Sequence, residues 1–173
     1  MTAADVLKAA GLLLLAALLQ VSLLWTIEVS NGHPDLVLVL VVVLALVLGP
    51  LLGAVAGFWA GLFLDVATFS TLGISSLLLT LAGYWSGRLG SIMSKSSPHP
   101  PLIAVGFATV AVALGSAFLH FVLGSTVGAS ELLGRVLLPM LALNLLLAYP
   151  VHRLVCRLFP RTARTAREVI VAG

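Results

Sequence analysis

Few side chains in this chain of 173 residues could do chemistry, and most of them stand alone within apolar segments. Asp65 ends a run without charge that begins after Asp35, and His120 lies within a later apolar segment. A carboxylate and an imidazole in apolar surroundings could take part in a proton relay. Pumps and proton relays usually need several such groups within the membrane. Energised transport by this chain alone is therefore not predicted.

Nucleophiles and metal ligands are equally sparse. Cys156 is the single cysteine, and no His and Cys residues occur at metal-ligand spacing. The segment Gly73-Ile74-Ser75 only begins like a nucleophile elbow, and there is no glycine-rich phosphate loop. The sequence predicts no catalytic residue, no metal site and no cofactor.

Two amides and a carboxylate are better explained by helix structure. Gln20 and Asn144 fall inside apolar segments, where buried amides commonly join helices at about 0.6–2 kcal/mol. We prefer this interpretation to substrate contact. Asp35 follows Pro34 at a predicted helix start, where a carboxylate caps free N–H groups.

Asp65 has a less obvious role, because it lies at the end of its helix where the dipole disfavours negative charge. A functional role, a specific hydrogen-bonded partner and a cap on the following helix all remain open. His120 could pair with Asp65, with Glu131 or with neither. Tyr84 is interpreted as a packing or interfacial residue.

Glycines recur at four-residue spacing in two neighbouring segments. They are Gly53, Gly57 and Gly61 in the first and Gly83 and Gly87 in the second. This spacing gives a slowly drifting stripe on a helix, and small residues let helix backbones approach closely in lipid. Packing of the two stripes against each other is the natural prediction. Alternatively, one stripe takes an intramolecular neighbour and the other docks a partner helix.

Composition indicates which elements hold these residues. Hydrophobic residues make up 61% of the chain and charged residues 9%, against about 45–50% and 25% in soluble domains. The sequence therefore predicts an all-α, polytopic integral membrane helix bundle, with residues 1–173 as one domain. The first apolar segment lacks a small-residue cleavage site, so it is interpreted as a helix and not a removed signal peptide.

Six transmembrane helices are predicted from the apolar segments. They lie near residues 9–27, 36–48, 51–66, 74–89, 103–123 and 137–158. The second and third are about 20 and 24 Å long at 1.5 Å per residue. They form a short hairpin that either crosses the membrane with flanking help or re-enters it.

Basic residues predict the orientation. With a cytoplasmic N-terminus, eight of the nine Lys and Arg residues lie inside and only Arg135 lies outside. Both termini are then cytoplasmic, and residues 159–173 form a basic tail. Its arginines and those before it are Arg153, Arg157, Arg161, Arg164 and Arg167. They recur every three or four residues, which would place them on one face if the chain stayed helical past Pro160. Such a face attracts anionic lipid, and docking of a cytoplasmic partner is the alternative. Nucleic-acid binding is not predicted, because no polar domain presents a basic face.

Several motifs resemble one family of bacterial membrane proteins. They are Gln20, Pro34-Asp35, Gly49-Pro50, GFWAGLFLD at 57–65, Leu72-Gly73, LAGYWSGRL at 81–89, Asn144 and Tyr149-Pro150. In these residues the chain resembles the rod shape-determining protein MreD family, most specifically between Pro34 and Leu89.

The resemblance implies a non-catalytic scaffold or regulator of the cell-elongation complex in the bacterial inner membrane. Its implied partner is the single-span protein MreC, with MreB, RodA, a penicillin-binding protein and membrane lipids as further partners, in support of cell shape and peptidoglycan synthesis. The family is similar in architecture to substrate-binding subunits of energy-coupling-factor transporters. Such a subunit, with polar residues lining a pocket, is the main alternative, and a lipid-handling role is a third.

Overall fold

The computed structural model describes residues 3–22, 34–69, 71–93, 100–122 and 137–159. These residues form six helices: α1 (Ala3–Ser22), α2 (Leu36–Leu48), α3 (Pro50–Ala67), α4 (Ile74–Met93), α5 (Pro100–Val122) and α6 (Leu137–Leu158). Among the described residues, four helices are long and apolar enough to cross a membrane, namely α1, α3, α5 and α6. The predicted all-α, polytopic membrane bundle is confirmed.

Some helices extend beyond their predicted ends. α1 begins at Ala3 and not near Ala9, with Asp5 in its first turn, where the helix dipole favours an acidic residue. α4 continues past Leu89 to Met93, and α5 begins at Pro100, because proline is tolerated in a first turn. Residues 23–27 of the predicted first helix lie outside the described part of the chain.

α2 is the central helix and packs against all five others. Nine consecutive residues, Val37 to Ala45, are buried. A helix surrounded by protein on every side has no need of a polar face, which explains its uniformly apolar sequence. Its 13 residues span only about 20 Å. The hydrophobicity of α2 thus reflects burial in protein and not exposure to lipid.

A single residue joins α2 to α3. Gly49 has a φ of 97°, a conformation that strains any residue with a Cβ, and its N–H donates to the Ala45 carbonyl oxygen at 2.8 Å. Pro50 then starts α3, where its missing N–H costs nothing. The second and third helices are therefore directly connected, but α3 packs most extensively on α4.

Candidate functional site

The glycines of α3 lie against the backbone of α4. A Cβ added at Gly57 would overlap the carbonyl oxygen of Leu79 and lie 2.5 Å from its carbonyl carbon. A Cβ at Gly61 would lie 2.5 Å from the backbone nitrogen of Ser76. Contacts this close are possible only where both helices lack bulk, and they maximise dispersion between the two backbones.

The glycines of α4 complete the same interface. A Cβ at Gly83 would overlap the carbonyl oxygen of Gly53, and one at Gly87 would lie 2.5 Å from Cα of Pro50. Each glycine face is therefore covered by the other helix. The alternative in which one stripe is left free for a partner helix is not seen.

α2 begins at a cluster of polar side chains, which we call the polar junction. The polar junction consists of Gln20 of α1, Asp35, Thr109 of α5 and Asn144 of α6. The N–H of Val37 donates to Gln20 Oε1 at 2.9 Å, and the N–H of Leu38 donates to Asp35 Oδ1 at 2.9 Å. The N–H of Asp35 itself donates to Asn144 Oδ1 at 2.8 Å. Three backbone donors at the start of α2 are thus satisfied by side chains.

The start of α2 lies inside the bundle, which explains why the polar junction is needed. Asn144 lies about 10 Å along α6 from its first residue, Leu137, so α2 starts well inside the bundle. The first N–H groups of a helix have no partner within it, and in hydrocarbon each unsatisfied group costs several kcal/mol. Asn144 also donates from Nδ2 to Thr109 Oγ1 at 3.1 Å, and both side chains are fully buried. One amide therefore ties α2, α5 and α6 together.

Breaking this tie is expected to weaken the bundle measurably. Asn144→Ala leaves the Asp35 N–H and the Thr109 hydroxyl without a partner, whereas Thr109→Val removes only the acceptor. Unfolding of both variants and the double variant in bicelles should give a coupling energy of about 1 kcal/mol, the usual size for a hydrogen bond between membrane helices. Strictly additive effects of the two changes would mean that the bond contributes nothing.

Asp65 caps α4 and not its own helix. Its Oδ2 accepts the N–H of Gly73 at 2.7 Å, and its Oδ1 accepts the N–H of Ser75 at 3.3 Å. The side chain is fully buried. The carboxylate lies at the C-terminal end of α3, yet it meets the positive end of the α4 dipole. Of the interpretations left open by the sequence, the cap on the following helix is the one seen in the structure.

A comparison with known protein families identifies the family of this chain. A family model described as rod shape-determining protein MreD matches residues 5–161. The chain belongs to the MreD family. Comparisons with curated proteins and with solved structures give no match. Membership of the MreD family implies a role in rod-shape determination.

The MreD-like motifs coincide with the structural features just described. The stretch from Gly57 to Asp65 supplies two glycines of the α3–α4 contact and the cap on α4. The stretch from Leu81 to Leu89 supplies Gly83 and Gly87. In this MreD-family chain the most specific motifs therefore build one helix pair.

Two buried hydroxyl groups of the MreD-family fold were not predicted from the sequence. Thr109 accepts from Asn144 at the polar junction, and Ser76 Oγ donates to the carbonyl oxygen of Phe58 at 3.0 Å, across the α3–α4 contact. A hydroxyl within an apolar helix is the only sequence signal for either residue. That signal is weak, because such groups also bond within their own helix, as Thr80 does with Ser76.

The remaining predicted residues lie on the outside of the bundle or beyond the described part of the chain. Tyr84 is exposed on α4 and makes an edge-on ring contact with Trp85. His120 lies in α5, and its side chain is outside the described part, so its pairing stays a prediction. On α6, Arg153 stacks over the Tyr149 ring at 4.6 Å.

Two arginines of the predicted basic face, Arg153 and Arg157, lie in the described part of the chain, both on α6. Arg157 lies in the last turn of α6, where a cation interacts favourably with the helix dipole. Arg161, Arg164 and Arg167 lie outside the described residues. A continuous basic face through the tail therefore stays a prediction.

An apolar cleft of about 670 Å³ lies between α1 and α3, with α2 at its base. We call it the α1–α3 cleft. Its walls include Ala10 and Leu14 of α1 and Val55, Trp59 and Phe63 of α3. Its lining contains neither a charged residue nor any member of the polar junction. The candidate polar residues and this cavity are thus separate parts of the MreD-family fold.

Proposed function

We propose that this protein is a non-catalytic membrane scaffold and regulator of the bacterial cell-elongation complex. It binds the transmembrane helix of an MreC-type single-span partner and so supports cell-shape control and peptidoglycan synthesis. Contacts with MreB, RodA and a penicillin-binding protein belong to the same proposal. Membership of the MreD family carries the role in shape, and the use of the polar side chains supports the scaffold.

The observation that most favours a scaffold is what the intramembrane polar groups bond to. The amides of Gln20 and Asn144 and the carboxylates of Asp35 and Asp65 all accept backbone N–H groups of this chain. In the described part, each buried side-chain nitrogen or oxygen has a hydrogen-bond partner. A substrate-binding subunit would instead direct such groups into a pocket. Here they hold helices together.

The proposed location is the cytoplasmic membrane of a bacterium, with both termini in the cytoplasm. The distribution of basic residues supports this orientation, because only Arg135 of the nine Lys and Arg residues would then face outward. The apolar lengths of α1, α3, α5 and α6 support insertion in a bilayer.

Co-purification tests the proposal. Protein solubilised in mild detergent should recover an MreC-type single-span protein, and exchanging that partner's transmembrane helix for an unrelated one of equal length should reduce recovery at least ten-fold. The physical reason is that helix association within lipid depends on shape and hydrogen bonding, which the exchanged helix lacks.

As a control, a segment of the partner's soluble region is replaced by an unrelated segment of equal length. This replacement should leave recovery unchanged. Mass spectrometry of the purified protein addresses the transporter alternative. A small metabolite retained stoichiometrically, with no MreC-type protein recovered, would overturn the scaffold.

A further inference from the structure

We propose that the α1–α3 cleft is the surface on which the partner's transmembrane helix docks, with Trp59 donating a hydrogen bond to that helix. The inference rests on the proposed function and names the binding surface for it.

The cleft is long enough to hold several turns of another helix. Its lining runs from Val6 to Ala17 on α1 and from Leu52 to Val66 on α3, which is about 17 and 21 Å of helix, or three to four turns. Alanines on both walls, including Ala10 and Ala56, would let a helix backbone come close.

Trp59 lies at the middle of a candidate membrane span, which is an unusual position for an exposed tryptophan. It lies midway between Pro50 and Ala67, the ends of a helix that is a candidate membrane span, and its side chain is 64% exposed. Exposed tryptophans are normally enriched at the membrane–water interfaces, where the ring N–H can reach a polar group. Mid-depth hydrocarbon offers no such group.

The indole N–H of Trp59 is unused within the described part of the chain. The ring itself makes an edge-on contact with Phe58, at 5.8 Å between centroids. Tryptophan N–H groups usually find an acceptor when they are covered by another surface. An occupant that covers the Trp59 ring is therefore expected to supply the acceptor.

The chemistry of that acceptor selects the occupant. Lipid acyl chains are hydrocarbon at this depth, and their ester oxygens lie at the bilayer boundary, so a lipid leaves the N–H unsatisfied. A transmembrane helix can offer a Ser, Thr or Asn side chain or a locally freed carbonyl at mid-depth. Buried tryptophans are also enriched among the residues that contribute most to protein interfaces. The expected occupant is therefore an apolar helix with small residues and one such acceptor near its centre.

Photocrosslinking in living cells tests the placement with a matched pair of leucines. Leu14 lines the cleft and is 52% exposed, whereas Leu114 is 48% exposed on α5, away from it. Benzoylphenylalanine at position 14 should crosslink the MreC-type partner, and the same probe at position 114 should not. Partner capture from position 114 alone, or only lipid adducts from position 14 while the partner still co-purifies, would overturn the cleft and leave the proposed function standing. Failure of the unsubstituted protein to recover any MreC-type partner would overturn both.

Two pairs of variants measure the contact without relying on a probe. Ala10→Leu fills the cleft and should lower partner recovery at least ten-fold, while the matched Ala111→Leu on the exposed face of α5 should not. Trp59→Phe keeps an aromatic ring but removes the N–H together with the five-membered ring of the indole, so affinity should fall at least five-fold, the usual effect of one hydrogen bond between membrane helices plus the lost ring contact.

Trp85→Phe on the exposed face of α4 is the control for the ring change. Thermal unfolding of each variant in detergent checks that the bundle is intact. Equal partner affinity of Trp59→Phe and Trp85→Phe would remove the proposed hydrogen bond, and normal recovery with Ala10→Leu would remove the docking surface.

Discussion

Gly57→Ala should destabilise the protein by about 3 kcal/mol, at the upper end of the cost of overpacking. The new Cβ would lie 2.5 Å from the carbonyl carbon of Leu79 and 2.9 Å from the backbone nitrogen of Thr80. Backbone atoms cannot rotate away as a side chain can, so α3 and α4 must separate. Separation weakens the contacts at the other glycines of the pair as well. Gly57→Leu should have a still larger effect.

Gly11→Ala is the matched control, because it makes the same chemical change within a helix but has no atom within 4 Å of the added Cβ. It should be neutral or stabilise the protein by up to about 1 kcal/mol through helix propensity. The free energy of unfolding in bicelles, measured by steric trapping, gives both values. Equal stability of the two variants would show that α3 and α4 do not approach as closely as described.

Gly57→Ala also tests whether the glycine stripe packs α3 on α4 or docks the partner helix. Because the glycine faces cover each other, Gly57→Ala should reduce partner recovery only in proportion to the fraction of folded protein. Loss of the partner from a fully folded Gly57→Ala protein would instead place the docking surface on this stripe.

The glycine contact was predictable from sequence, whereas the polar junction was not. Gly53, Gly57 and Gly61 recur with the helical period, and the next helix along the chain was the natural neighbour. The bond from Asp35 to Asn144 joins residues 109 positions apart. No periodicity relates such residues, and only the packing of α2, α5 and α6 brings them together.

The enclosure of α2 by protein was not predictable from the sequence, for a related reason. An apolar run of 13 residues reads the same whether it faces lipid or lies within protein. What distinguishes the two is where its first N–H groups find acceptors. Gln20 supplies one of these acceptors from α1, a fact that depends on tertiary structure and has no local sequence signal.

Asp65→Ala should cost about 3 kcal/mol of stability, since it leaves two N–H groups at the start of α4 without their acceptor. The turn that these bonds hold is itself strained. Phe69 in this turn has a φ of 52° and is 98% exposed, an unfavourable conformation for a bulky residue. Without the Asp65 carboxylate the turn can relax, and the first turn of α4 should fray. Hydrogen exchange at Gly73 and Ser75 should rise with the loss of stability.

Asp65→Asn provides the finer comparison, because it keeps one acceptor oxygen and turns the other position into a donor facing an N–H. Its stability should fall between that of the wild type and Asp65→Ala. If the carboxylate acts only as a cap, rescue of rod shape in a strain lacking the protein should follow the amount of folded protein across all three proteins. A well-folded Asp65→Asn protein that fails to restore shape would contradict this. Asp65 would then have a role beyond the start of α4 that requires its carboxyl group.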